Sequence, residues 1–180
     1  MKNTQTENTQ ISNSKRWITL ALIDLLSEED LDAISVTALC KRAGVGRQTF
    51  YRHFSSLSDV LIKELNRNFA VFMSKVRQAY RNNPAPGLIE LMAFEYWYKN
   101  ELILVLVKHP ACRELLADGI AATRALVERR FDLFDQEEPY LLKYRIGGLM
   151  SVFFTWVENG MVESPEYMAD ILKKAYQYPS

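Results

Sequence analysis

Excess charge of either sign is missing from this chain: 22 Lys and Arg balance 22 Asp and Glu over 180 residues. That excludes a uniformly basic nucleic-acid binder. It leaves room for a local patch, because field and counterion release depend on where the charges lie. Cysteine is scarce as well. Cys40 and Cys112 fit no CxxC spacing, which argues against a disulfide framework and for a reducing compartment. Two lone histidines, His53 and His109, make no metal set, so neither a metal nor another cofactor is expected. There is no GxSxG, no Gly-rich phosphate loop and no paired nucleophile and base, hence no candidate catalytic residue and no enzyme. No apolar run approaches the roughly 20 residues that span a bilayer. The opening MKNTQTENTQISNS lacks the apolar core of a secretory signal. These absences point to a cytoplasmic chain with no membrane partner.

Only seven Gly and six Pro punctuate the sequence, and the long runs between them favour helices over short strands. The polar first 14 residues read as a disordered tail. In KRWITLALIDLLSEEDLDAI, Trp17, Leu20, Ala21, Asp24 and Leu25 lie along one stripe and Ile18, Leu22, Leu25 and Leu26 along another, so this first helix should be largely enclosed and end near 27–30. Ser35 is an N-cap, Val36, Leu39, Cys40 and Ala43 make one buried face, and Gly44 ends that second helix. A third short helix runs from 46 or 47 to 53, and Ser56 with Asp59 caps a fourth that reaches about 81. NNPAPG at 82–87 is the clearest break. Helical stretches are expected beyond it at about 87–98, 100–108, 110–134, 138–160 and 165–177. The fold class is all-α, with about nine helices: an N-terminal helix-turn-helix domain over 15–60 and a helical domain over 61–180.

Charge is segregated within this neutral chain. From Ala33 to Phe54 there are four basic residues, Lys41, Arg42, Arg47 and Arg52, and no acid, whereas Asp24, Glu28, Glu29, Asp30 and Asp32 cluster just upstream. Two short helices joined by a Gly-containing turn make a helix-turn-helix. At about 100° per residue, Arg47, Gln48, Tyr51 and Arg52 fall on one half of the third helix, and Phe50 and Phe54 on the other. The aromatics thus divide between an anchor behind and a contact face in front. Arg pairs bidentately with guanine and Gln with adenine, while Tyr, Thr and His donate to phosphates. The start of the second helix, with Thr37, offers N–H groups to a phosphate.

SVTALCKRAGVGRQTFYRHFSSLSDVL, Ser35 to Leu61, resembles the N-terminal domain of TetR-family transcriptional regulators: a Ser-started helix, Ala43-Gly44-Val45, Thr49-Phe50-Tyr51, His53-Phe54 and a Ser56-capped long helix. The likeness covers about residues 15–65; the rest resembles the family in helical layout and length. The resemblance implies a homodimeric DNA-binding regulator, a repressor before an activator, on palindromic double-stranded operator DNA. Arg47, Gln48 and Thr49 then map onto base-reading positions, and Thr37, Tyr51 and His53 onto phosphate contacts, with Arg52 joining them from the same face. Two departures stand out. Gly46 replaces a Ser cap of the third helix, and Leu57 replaces a Lys at the start of the fourth, a loss for which Lys63 is the candidate compensation.

In PYLLKYRIGGLMSVFFTWVENG a wide apolar stripe contains Gly147-Gly148, a pair that costs roughly 1 kcal/mol each against Ala and suggests close approach of another helix. With the following helix it supplies the interface candidates Gly147, Gly148, Met150, Phe154, Val157, Met168, Ile171 and Leu172, matching the family's four-helix dimer. The family also senses small ligands among its middle helices, which implies Phe69, Phe72, Met73, Tyr96, Trp97, His109, Arg113, Arg124 and Trp156 as pocket candidates. WVENGMVESPEYMADIL, 156–172, resembles a short-chain subgroup that includes a dihydroxyacetone-kinase operon regulator. That likeness carries the alternative of control by a partner protein in place of a small-molecule effector.

Overall fold

A computed structural model describes residues 2–83, 87–109, 112, 115 and 139–176. Among these residues there are eight helices and no strand: α1 (Lys2–Glu28), α2 (Val36–Ala43), α3 (Arg47–His53), α4 (Leu57–Asn82), α5 (Leu88–Tyr98), α6 (Glu101–Lys108), α7 (Pro139–Glu158) and α8 (Pro165–Tyr176). The helix expected at 110–134 lies outside the described residues. The expected tail over 1–14 is instead continuous helix from Lys2. No Pro or Gly interrupts that stretch, and Asn, Thr, Gln and Ser lower helix propensity without forbidding propagation from the firm helix that follows.

Caps set the boundaries of the small helices. The Ala38 N–H donates to Ser35 Oγ at 3.1 Å and opens α2. Gly44 closes it at φ 65°, with its own N–H on the Lys41 carbonyl and that of Val45 on the Cys40 carbonyl at 3.0 Å, a Schellman turn that an L side chain would strain. Gly46 gives α3 only a backbone start: Phe50 N–H donates to the Gly46 carbonyl at 3.1 Å, with no side-chain cap. Ser56 Oγ accepts from Asp59 N–H at 3.0 Å, and the Asp59 carboxylate accepts from Ser55 N–H at 2.8 Å, so the box reaches back one residue further than its usual form.

Ile18, Leu22, Leu25 and Leu26 of α1 are buried with Leu39, Phe50, Phe54, Val60 and Leu61 in the core of the helix-turn-helix end. The other α1 stripe is split: Ala21 and Leu25 are buried, but Trp17 and Leu20 are each 52% exposed, so α1 is enclosed on one side and not all round as expected. In the body, α5 packs against α4 on one flank and α8 on the other. This explains why it is apolar on most of its surface. Phe94, Trp97, Phe153 and Trp156 form an aromatic centre, with the Trp97 and Phe153 rings 4.4 Å apart and Phe94 edge-on to Trp156 at 5.4 Å.

Two features join the ends of the molecule. The first is α4, which belongs to both cores. The second is His109 at the end of α6: its Nδ1 is 2.8 Å from Asp30, and its Nε2 donates to the Leu26 carbonyl at 2.6 Å. Leu26 lies in the last turn of α1, where carbonyls have no helical partner.

Candidate nucleic-acid interface

The α3 helix is a lever with an anchored back and an open front. Phe50 is wholly buried, edge-on to Tyr51 at 5.2 Å and 5.9 Å from the Phe54 ring. Arg47, Gln48, Tyr51 and Arg52 are exposed, whereas Thr49 and His53 are half-buried. Neither Arg47 nor Arg52 has an ion pair among the described residues. Thr37 is exposed in the first turn of α2, which carries no acid. Six groups with donors therefore stand on, or beside, one exposed helix: Thr37, Arg47, Gln48, Thr49, Tyr51 and Arg52.

His53 sits at the edge of this set. Its Nε2 is 3.5 Å from Ser14 Oγ of α1. Burial, then the charges of Lys15, Arg52 and Lys63, push its imidazole below the ordinary value of 6.5. The ring is thus neutral at pH 7 and offers an N–H donor, not a cation. Lys63 is already engaged. Its Nζ donates to the His53 carbonyl at 3.0 Å and to Asp59 at 2.9 Å, and lies 5.3 Å over the Phe54 ring. A cation at the C-terminus of α3 suits the orphan carbonyls there. Against the desolvation of its carboxyl, bonds from Lys63 and Ser55 still hold Asp59 below its usual value. Leu57 packs against the core, so the uncharged residue at the start of α4 has a structural job.

The basic stretch loses one member. Arg42 is bound by Asp24, and by Glu28 through two bonds of 3.1 and 2.9 Å. Hydrogen bonds donated to Glu28 and Asp24 raise its guanidinium above its already high value. The acidic residues upstream therefore do not simply lie elsewhere: two of them return through the fold and neutralise Arg42. A spacing of 18 and 14 residues between helices gave no local signal of that pairing.

The pocket candidates divide. Phe69, Phe72, Tyr96 and Trp97 form one chain of rings, with Phe72 6.1 Å from Phe69, 5.2 Å from Tyr96 and 6.2 Å from Trp97. Met73 packs against the same core, and Trp156 joins it through Phe153. Tyr96 Oη donates to the Asn68 carbonyl or Oδ1, both at 3.0 Å, giving this cluster a polar end. His109 is a correction: its ring nitrogens face Leu26 of α1 and Asp30 just beyond it, so it serves the junction and not the aromatic cluster. Arg113 and Arg124 lie outside the described residues.

The interface candidates divide too. Met168 and Leu172 are buried in the protomer, on the α8 face turned to α5, and a side chain already covered offers nothing to a second chain. Met150, Phe154 and Val157 are half-buried. Gly147 is exposed, Gly148 half-buried, and a Cβ built on either would meet nothing within 4 Å in its own chain. The outward stripe of α7 is Tyr140, Tyr144, Gly147, Ser151 and Thr155, and Tyr167 and Ile171 are exposed on α8. The tyrosines were missed by a reading that followed apolar residues alone.

Known proteins share this arrangement. Residues 18–62 match the family profile for bacterial regulatory proteins of the tetR family, and residues 82–178 match a transcriptional regulator C-terminal region of the same family. The likeness thus extends well past residue 65. An HTH-type transcriptional regulator of Staphylococcus aureus (strain MRSA252) is 25% identical over 147 residues, 77% of each chain. Among solved structures, a TetR transcriptional regulator from Streptococcus agalactiae 2603V superposes with a TM-score of 0.67 at 19% identity, covering 98% of this chain and 100% of that one. The regulator FadR from Bacillus subtilis, in complex with stearoyl-CoA, superposes at 0.64 with 14% identity over 88% and 95%. With the C-terminal match alone spanning more than half of the sequence, the chain belongs to the TetR family of DNA-binding transcriptional regulators, which are not enzymes.

Proposed function

We infer that this chain is a homodimeric repressor that binds a palindromic operator and leaves it when a small ligand enters the body. One observation carries the DNA reading: α3 is locked from behind by Phe50 and presents Arg47, Gln48, Tyr51 and Arg52 in front, with neither arginine in an ion pair among the described residues. A rigid helix with donors on one face suits the major groove. One such helix reads too little sequence to be selective, which is the reason for two copies about 34–36 Å apart.

DNA sequences selected by the purified protein from a random pool supply the operator. On that DNA, Arg47→Ala should weaken binding by about 1–3 kcal/mol and flatten the preference at one base position. Tyr51→Phe should weaken all sequences alike. Unchanged affinity and preference for Arg47→Ala at fixed salt would remove Arg47 as a base reader.

The outward stripe of α7 supports the dimer. Gly147→Leu should improve the helix by up to about 1 kcal/mol and at the same time block close approach of a second chain. Sedimentation should then show a monomer at least as stable as the parent. A stable dimer would move the interface off this face. The aromatic cluster from Phe69 to Trp156 supports an apolar effector, and a long-chain acyl thioester is the first to try, given the acyl-CoA seen with the Bacillus subtilis neighbour.

A further inference from the structure

Between α1 and α4, beside the C-terminal end of α3, lies a cleft of about 780 Å³. Its walls carry Lys15 and Arg16 from α1, His53 from α3, and Lys63, Glu64 and Arg67 from α4, over an apolar floor that includes Leu20 and Phe54. The charges do not balance. Glu64 is taken by Arg67, and the neighbouring Asp59 by Lys63. Lys15 and Arg16 have no ion pair among the described residues, and both are exposed at the cleft.

We propose that this cleft binds a phosphate group, supplied by the DNA backbone as it passes the C-terminal end of the recognition helix. The proposal rests on the DNA-binding reading and adds a second, separate anchor to it. Three observations lead there. His53 lies both on α3 and in the cleft wall, so a strand contacted by the end of α3 runs directly past the cleft. Two cations flanking α3 are already engaged, Arg42 by Asp24 and Glu28 and Lys63 by Asp59, and Leu57 at the start of α4 is uncharged and packed. Backbone contact needs cations, and Lys15 and Arg16 add two exposed ones, without an ion pair among the described residues, to Arg47 and Arg52 of α3. Last, burial first and then the charges of Lys15, Arg52 and Lys63 oppose protonation of the same imidazole. An arriving phosphate reverses that unfavourable field, whereas a purely structural cleft has no reason to keep it.

The test compares wild type, Lys15→Gln/Arg16→Gln and Arg47→Ala on the selected operator across a salt series. Both replaced side chains are exposed, so the fold should hold, and thermal unfolding checks this. The double variant should bind several-fold more weakly, with the slope of log K against log salt reduced by about 1–2 and base preference intact, since each phosphate contact carries about 0.9 of slope. In a ring NMR titration, where His109→Gln leaves His53 as the only signal, operator DNA should raise the His53 titration point in wild type and less in the double variant. The groups facing that ring are Ser14, Lys15, Arg52 and Lys63, with Glu64 across the cleft. An unchanged slope and an unmoved His53 overturn the proposal. If inorganic phosphate or ATP shifts His53 while the DNA slope stays unchanged, a free phosphate is the occupant and the DNA backbone is overturned as the source. If Arg47→Ala is without effect as well, the failure belongs to the DNA-binding reading and not to the cleft.

Discussion

Phe50→Ala should destabilise the helix-turn-helix end by about 3–5 kcal/mol and abolish operator binding, although Phe50 touches no DNA in the proposed arrangement. The side chain is wholly buried and is the central anchor of a seven-residue helix. That helix has little else to hold it. Its N-cap is Gly46, without a side-chain bond, and a helix of this length has almost no stability of its own. Removing the ring leaves a cavity beside Phe54 in the buried core, and the exposed arginines lose their rigid base. Phe50→Leu refills most of the volume and should cost under about 1.5 kcal/mol, with binding retained. Denaturant unfolding followed by circular dichroism, beside an anisotropy titration on operator DNA, checks both variants. If Phe50→Ala unfolded at the parent's midpoint and still bound, the anchor would have to be elsewhere.

Arg145→Met should cost about 3 kcal/mol, and most of that loss should vanish when Glu90 is also replaced. Glu90, in the first turn of α5, is 3% exposed and receives Arg145 Nη2 at 2.9 Å, while its Oε2 has no hydrogen-bond partner among the described residues. Removing the arginine strands a buried carboxylate, and that penalty exceeds the net worth of the pair. The estimate sits at the low end of the usual range because the Arg145 side chain is 23% exposed. In a double-mutant cycle, Arg145→Met with Glu90→Leu should recover stability to near the parent, leaving a large coupling energy. Additive losses would mean that Arg145 stabilises the body by packing alone. This pair links α5 to α7, so the single variant should loosen the packing of those two helices.

The helix-turn-helix was readable because its determinants are local. Ser35, Gly44, Ser56 and Asp59 act on backbone groups within four or five residues of themselves, and their geometry follows from residue type. The division of α3 into Phe50 behind and Arg47, Gln48, Tyr51 and Arg52 in front needs only the helical period. Pro and Gly positions likewise placed the joints before α5, α7 and α8 close to where they occur.

The errors share one cause: a helical period shows that a face is apolar, but not what covers it. Met168 and Leu172 looked available to a second chain and are turned to α5; Trp17 and Leu20 looked enclosed and are half exposed. Tyr140 and Tyr144 drew no notice, yet they begin the open stripe of α7. The N-terminal segment looked tail-like by composition and continues α1, since composition reports average solubility and not the helix that follows.

The sequence by itself determined the helices, their caps and the two faces of the recognition helix, because those depend on interactions a few residues apart. Tertiary structure alone decided that Arg42 belongs to Asp24 and Glu28, that His109 holds Leu26 and Asp30 some 80 residues away, and that Lys15 of α1 joins Arg52 and Lys63 beside His53. A charge's partner is set by distance in space, and only packing brings distant helices within the few ångströms over which such a pairing is made.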